Sequence, residues 1–277
     1  MKEAFVSLVT ALADDELIIG HRHSEWTGFA PHIEEDVAFS SIAQDEIGHA
    51  AAYYSLIAEA TDTSPDRMAL GREPDDYRHA VLCERPNRDW AFSLVRHWLY
   101  DTADDVRLGA LQESADAGLA AIAVKIRREE RYHLLHADAW IKRVAQGPVE
   151  GRTRLIDALG QCYPEALALF DKLELEESIL ERGLLPCSSS ELRAQFANRA
   201  TSELDTFGLP EEIHRDLDDS AEFLASSSGD LIASDQDTNS APLRSGNGGR
   251  AGKHSDDFKS LWDEMTSTHR LHPGAQW

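Results

Sequence analysis

The sequence predicts an all-α protein, a four-helix bundle with additional C-terminal helices. Three observations carry this. Apolar residues recur at helical spacing through nearly all of the first 210 positions, with no sustained strand alternation. Glu-x-x-His occurs twice, at Glu46-Ile47-Gly48-His49 and at Glu130-Arg131-Tyr132-His133. Each copy follows a helical stretch with a further acid, Glu25 before the first and Asp101 before the second. At i and i+3 a carboxylate and an imidazole project from one helical face. Two such pairs, with one acid from each of two other helices, are the ligand set of the carboxylate-bridged metal pair in a ferritin-like bundle.

The elements follow in order. Residues 3–28 carry Phe5, Leu8, Val9, Leu12, Leu17 and Ile18, an amphipathic series. Pro31 opens the next helix where a missing N–H is tolerated, and that helix runs to about Thr61 with the first motif inside it. Residues 62–88 hold Pro65, Gly71, Pro74 and Pro86 and read as a long crossover between two halves. The third helix is expected from about Asp89 to Ala117, with Gly118 as a tight joint. The fourth then runs to Gln146, stopped by Gly147-Pro148. Residues 151–175 and 190–206 read as two more helices. The bundle domain is placed at 1–210. Residues 225–256 contain Ser-Ser-Ser-Gly-Asp and Ser-Gly-Asn-Gly-Gly-Arg and read as a flexible linker. Residues 257–277 read as a short helix through Phe258, Leu261, Trp262 and Met265, with an irregular tail ending on Trp277.

Composition narrows the function. Hydrophobic residues make up 42% of the 277, enough for a substantial core. A formal charge of −23 argues against a nucleic-acid partner, because backbone binding needs a basic face. Of 27 basic residues only Lys2, Lys125, Lys142, Lys172, Lys253 and Lys259 are lysine. An acidic, Lys-poor surface reads as adaptation to a salt-rich cytoplasm. Cys83, Cys162 and Cys187 are widely spaced, with no CxxC, so neither a zinc knuckle nor a disulfide framework is indicated, and a reducing cytoplasm is expected. The N-terminus reads as a helix start, and no run approaches the ~20 apolar residues of a membrane span.

The metal reading rests on Glu25, Glu46, His49, Asp101, Glu130 and His133, because iron in an N/O site takes carboxylates and imidazoles with open positions for oxygen. One Glu-x-x-His is a weak signal; two copies, each preceded by an acid-bearing helix, are much stronger. Glu25 sits between aromatic neighbours in His23-Ser24-Glu25-Trp26. Asp105, one turn after Asp101, is the alternative fourth acid, while Trp98, Leu99 and Tyr100 favour Asp101. Glu129 competes with Glu130, but only Glu130 stands three before His133. His21, His23, His97 and His136 read as residues that pack around the site or support its ligands rather than as ligands themselves, and Asp45 as an acid able to orient a metal-bound imidazole.

The segment Glu25-Trp26-Thr27-Gly28-Phe29-Ala30-Pro31-His32-Ile33-Glu34-Glu35-Asp36 resembles the phenylacetate catabolism family, in particular the C-type subunits of phenylacetyl-CoA epoxidase. So do Arg131-Tyr132-His133-Leu134 and the terminal Pro273-Gly274-Ala275-Gln276-Trp277. The similarity covers roughly residues 10–210 and the last twenty. In that family an A-type subunit is catalytic and carries di-iron, while the C-type pairs with it as a structural partner with an eroded metal site. Here His23-Ser24-Glu25, Gln44-Asp45-Glu46-Ile47-Gly48-His49 and Arg128-Glu129-Glu130-Arg131-Tyr132-His133 resemble the A-type ligand motifs, and Asp101 matches the fourth acid. The resemblance therefore implies a subunit of a multicomponent di-iron monooxygenase that epoxidises the ring of phenylacetyl-CoA. It implies two carboxylate-bridged irons, electrons from NADPH through a flavin and iron–sulfur reductase, and a homologous A-type partner. It calls for no catalytic side chain beyond the metal ligands. A structural partner and a benzoyl-CoA epoxidase component are the alternatives.

Overall fold

The computed structural model of the chain describes residues 2–209, 248–272 and 275. Helix α1 spans Lys2–Ser24 and α2 Ile33–Ala60, packed antiparallel as one hairpin. A crossover follows, holding α3 (Pro65–Leu70), a single 3-10 turn (Pro74–Asp76) and α4 (Val81–Glu84). The second hairpin is α5 (Trp90–Leu111) and α6 (Ala117–Ala145). Then come α7 (Val149–Leu167), α8 (Glu176–Glu181), α9 (Ser189–Phe207) and, after a second described segment begins at Gly248, α10 (Asp256–Leu271). The described residues contain no strand. None of their helices is long and apolar enough to cross a membrane.

Local chemistry sets the helix ends. The Asp89 carboxylate accepts from the Phe92 N–H at 2.9 Å and starts α5. Asp116 does the same for α6 through the Leu119 N–H at 2.9 Å. A capping box between Ser188 and Glu191 opens α9, which ends at Gly208 in the left-handed region. These caps correct two sequence expectations. The first helix stops at Ser24 rather than residue 28, because Gly28 turns the chain at φ +82° with its N–H on Asp36. The third stops at Leu111, and Gly118 lies inside the first turn of α6 rather than at a joint.

Helix α5 is the buried axis of the molecule. It packs against α6 on one side and α7 and α9 on the other, so even Arg96, His97, Asp101 and Asp104 are buried. The core cluster runs from Leu8 and Leu12 of α1 through Tyr53 and Ile57 of α2 to Trp98 and Leu99 of α5 and Ile126 and Ala137 of α6.

The end of the expected linker is built into this body. Residues 225–247 lie outside the described residues, as does Trp277. Residues 248–256, by contrast, are packed on the crossover. Both oxygens of Glu84 are occupied by neighbours: Oε1 accepts the Ser255 N–H at 2.6 Å, and Oε2 faces His79 Nε2 at 2.7 Å and His254 Nδ1 at 2.8 Å. The two imidazoles stack with centroids 4.1 Å apart. Trp262 donates its indole N–H to the Arg72 carbonyl at 2.9 Å. A Gly- and Ser-rich composition suggested looseness here; buried ion pairing supplies what apolar side chains do not.

Burial alone would raise the Glu84 carboxyl, but His254, His79 and the Ser255 N–H together hold it well below the usual range. A depressed carboxyl stabilises the docked segment fully above its unfolded value of about 4.3 and loses that contribution as pH falls toward the folded value. Amides of α10 should therefore exchange faster below about pH 4, and Glu84→Gln should give that faster exchange already at pH 7. Hydrogen exchange checks both, and α10 protection equal in wild type and variant at pH 7 would contradict the assignment.

Candidate metal centre

The two Glu-x-x-His helices meet across the bundle. On α2, Glu46 and His49 point inward; on α6, Glu130 and His133 do the same, and all four are buried. Gly20 lets α1 approach at this level: a Cβ there would lie 3.0 Å from the Glu46 Cβ and 3.0 Å from Ile47.

The atoms are arranged as two half-sites sharing two carboxylates. His49 Nδ1 lies 3.4 Å from Glu16 Oε2, 3.6 Å from Glu46 Oε2 and 3.3 Å from Glu130 Oε1. His133 Nδ1 lies 3.2 Å from the same Glu130 oxygen and 3.7 Å from Glu46 Oε1. Glu46 thus turns one oxygen to each imidazole, and Glu130 Oε1 stands between them. Asp101 joins Glu130 and His133, while Glu16 joins Glu46, His49 and Glu130.

Five of the six sequence-derived ligands are brought together; Glu25 is not. It lies just past the end of α1, bonded to Arg22 at 2.6 Å and to Asn87 at 3.1 Å, with its side chain 35% exposed. Its place is taken by Glu16, fully inside the helix. The physical reason is helix geometry: nine residues put Glu25 about 13.5 Å beyond Glu16 and half a turn round the axis, just past the last helical residue Ser24. Sequence reading missed Glu16 because Asp14-Asp15-Glu16 looks like a solvated acidic run. The available signal was its register: Glu16 falls in the stripe Leu8, Leu12, Ile19, an acid on an apolar face. Asp105, the alternative to Asp101, faces away and pairs with Arg127 at 2.7 Å and with Arg199.

Outer carboxylates fix the imidazoles. His49 Nε2 donates to Glu129 at 3.0 Å, and His133 Nε2 to Asp45 at 3.3 Å. The acid preceding each Glu-x-x-His therefore orients the histidine of the other helix, and both Nδ1 atoms are left facing inward. His97 Nδ1 stands 3.1 Å from Asp101 Oδ2, and His23 and Phe39 pack against the His97 ring. His136 bonds Glu35 at 2.8 Å.

The donor set fits a pair of cations. Both oxygens of Glu46, Glu130 and Asp101, one of Glu16, and Nδ1 of both histidines are buried without a hydrogen-bond partner. Burial and the neighbouring Glu130 and Glu16 push Glu46 well above the usual carboxylate range. Burial and Glu130 do the same to Asp101. Burial works against the His133 imidazolium, but Glu130 and Asp101 raise it to about 9. His49 is likewise raised, by Glu130, Glu16 and Glu46. Glu130 is held near 2 against burial by the two imidazoles. In the absence of a cation, protons fill the centre. The His79, Glu84 and His254 group could also gather around an ion, but both Glu84 oxygens already accept hydrogen bonds and the rings stack face to face, which leaves His79 Nδ1 as its one unpartnered ligand-type atom.

Residues 1–222 match the family described as phenylacetic acid catabolic protein. The chain belongs to that family. It is 27% identical over 269 residues to the C-type subunit of 1,2-phenylacetyl-CoA epoxidase from Escherichia coli K12, covering 96% of each chain. The A-type subunit of the same epoxidase is 25% identical over 205 residues, 68% of this chain and 65% of that one. Among solved structures the chain is similar to a Synechococcus protein with aldehyde deformylating oxidase activity, at a TM-score of 0.52 and 18% identity, covering 77% of this chain and 91% of that one. That likeness agrees with the ferritin-like fold seen here.

Glu16 and Glu25 separate cleanly by experiment. Glu16→Gln should lower the Fe(II) bound per chain after anaerobic loading, whereas Glu25→Gln should leave it unchanged; metal analysis of the desalted proteins decides. Asp45→Asn and Glu129→Gln should weaken metal binding by about 10- to 100-fold, the usual effect of freeing a ligating imidazole, as read by calorimetric titration.

Proposed function

We propose that this chain is a subunit of a multicomponent di-iron monooxygenase that epoxidises the aromatic ring of phenylacetyl-CoA in phenylacetate degradation, and that it holds two irons of its own. The observation that carries the second half is the set of unpartnered buried donors on Glu16, Glu46, His49, Asp101, Glu130 and His133. The alignment with the C-type epoxidase relative over nearly the whole chain supports the first half. Bound there, two ferrous ions would supply the reductive activation of O₂. The residues' own part is to hold them: Glu46 and Glu130 between the half-sites, Glu16 and His49 on one side, Asp101 and His133 on the other. Asp45 and Glu129 keep each Nδ1 aimed inward. The packed shell of α5, with Trp98, Leu99 and Tyr100, excludes bulk water.

The proposed partners are a homologous A-type chain, a flavin and iron–sulfur reductase drawing on NADPH, and a CoA thioester, in the cytoplasm. The acidic, Lys-poor composition fits a salt-rich cell interior. The second reading is a structural partner of a catalytic homologue, and one observation favours it: the match to the C-type relative spans 96% of the chain, that to the A-type relative 68%.

Co-expression with an A-type homologue decides between them. The chain should co-purify with that homologue. With reductase, NADPH and phenylacetyl-CoA the assembly should consume O₂. His49→Ala in this chain should lower both its bound iron and the turnover of the assembly by at least about tenfold. Turnover unchanged in an assembly whose His49→Ala chain has lost its iron would assign the chemistry to the partner. A chain that stays monomeric beside the homologue would remove the complex altogether.

A further inference from the structure

Glu16 owes its place to its neighbours on α1. Asp14, Asp15 and Glu16 are consecutive and all buried. Successive side chains on a helix diverge by about 100°, so the three carboxylates face three different partners. Asp14 accepts from Tyr54 at 2.5 Å, from the Arg78 N–H at 2.7 Å and from Arg72. Glu16 faces His49. Asp15 accepts from the Ala80 N–H at 2.8 Å, from Arg107 at 2.5 Å, and from both arms of Arg250, at 3.0 Å on Oδ1 and 2.7 Å on Oδ2.

Arg250 lies 235 positions away in sequence, with its side chain only 6% exposed. Its guanidinium also donates to the carbonyls of Ala11 at 3.1 Å, Arg78 at 2.8 Å and Leu169 at 2.8 Å. One side chain thus ties a turn of α1, from Ala11 to Asp15, to the crossover and to the end of the α7 region. Arg107 extends the chain of charges, donating to Asp104 at 2.7 Å. The second Asp104 oxygen is buried and unpartnered.

The backbone carrying Arg250 is fitted to this place. Gly248 at φ +124° and Gly252 at φ +75° bracket a single 3-10 turn. A Cβ on Gly249 would lie 2.2 Å from the His79 carbonyl oxygen, and one on Gly252 2.2 Å from that of Asp75. Only glycine lets the segment lie backbone to backbone on residues 75–80. His254 and Ser255 then close on Glu84.

We propose that the segment Gly248–Ser255 is a latch, and that Arg250 is a positioning residue for the metal centre: by clamping Asp15 it holds α1 in the register that presents Glu16 to His49. This rests on the two-metal reading above. Geometry and charge act in opposite directions here, which makes the proposal testable. Removing a cation beside a carboxylate cluster would, by charge alone, tighten the binding of a metal cation. A purely structural latch would lower the unfolding temperature and leave metal affinity alone. Positioning requires that affinity fall.

The experiment uses the full chain and the metal alone. Arg250→Gln, Arg250→Lys and Gly249→Val are titrated with Co(II) anaerobically, after circular dichroism has shown each to be helical. Arg250→Gln and Gly249→Val, the latter with its charge intact, should each bind the ion next to Glu16 about tenfold or more weakly, with the ion next to His133 less affected. Arg250→Lys should recover part of the loss. In the metal-free protein, exchange at residues 11–17 should speed up in both latch variants, with α6 unchanged. Helical variants that bind Co(II) as tightly as wild type, or more tightly, would overturn the proposal. If wild type itself takes up no metal, the two-metal reading fails separately. The exchange measurement then decides the latch, and unchanged protection at 11–17 would refute it.

Discussion

Four carboxylates and two imidazoles inside one helical bundle set the terms for the rest of this molecule. Like charges in a dry interior cannot all ionise unless a cation or a proton neutralises them. The raised Glu46 and Asp101 and the imidazolium character of His49 and His133 are the protonic answer to that constraint. A pair of cations is an answer that the donor set fits, since its oxygens and Nδ1 atoms face one another without hydrogen bonds. Everything around it holds those atoms still: α5 is buried on all sides, Gly20 brings α1 close, and Asp45 and Glu129 orient the histidines from across the interhelical groove.

A second tier of buried charge surrounds the first and is handled differently. Asp15, Glu84 and Glu165 are each paired with arginine or histidine, and those partners come from distant parts of the chain. Removing one partner of a buried pair leaves an uncompensated charge, a loss of about 3–5 kcal/mol. Such pairs therefore specify where the crossover and the C-terminal segment must lie, even where they add little net stability. That explains how a Gly- and Ser-rich stretch docks so closely. Its affinity comes from Arg250 and His254, and its glycines permit contact between two backbones.

Much of the fold was written in the residues as periodicity. Phe5, Leu8 and Leu12 repeat at helical spacing, a helix opens at Asp89, and the proline-rich crossover divides the chain into two hairpins. The Glu-x-x-His pairs were legible for the same reason, because i and i+3 share a face whatever the helix packs against. Glu25 and Glu16 show where this stops. Both are acids near aromatic or aliphatic neighbours at the first helix. Which one enters the site depends on which face of α1 meets α2 and at what level, since nine residues set the two acids half a turn apart; the Gly20 contact and the Asp15 clamp fix both.

The sequence by itself determined the helices, their amphipathic faces, the pairing of Glu46 with His49 and of Glu130 with His133, and the family to which the chain belongs. These follow from local rules, in which spacing alone fixes which side chains stand together. Only the tertiary structure decided that Glu16 rather than Glu25 stands with Glu46, His49 and Glu130, that Glu129 and Asp45 bond the opposite helix's histidine, and that Arg250 reaches back to Asp15. Each of these joins residues remote in sequence through the relative axial position of packed helices. Glu16 and Glu25 stand nine residues apart, about 13.5 Å along a helix and half a turn round it, and only packing decides which of the two lies level with His49.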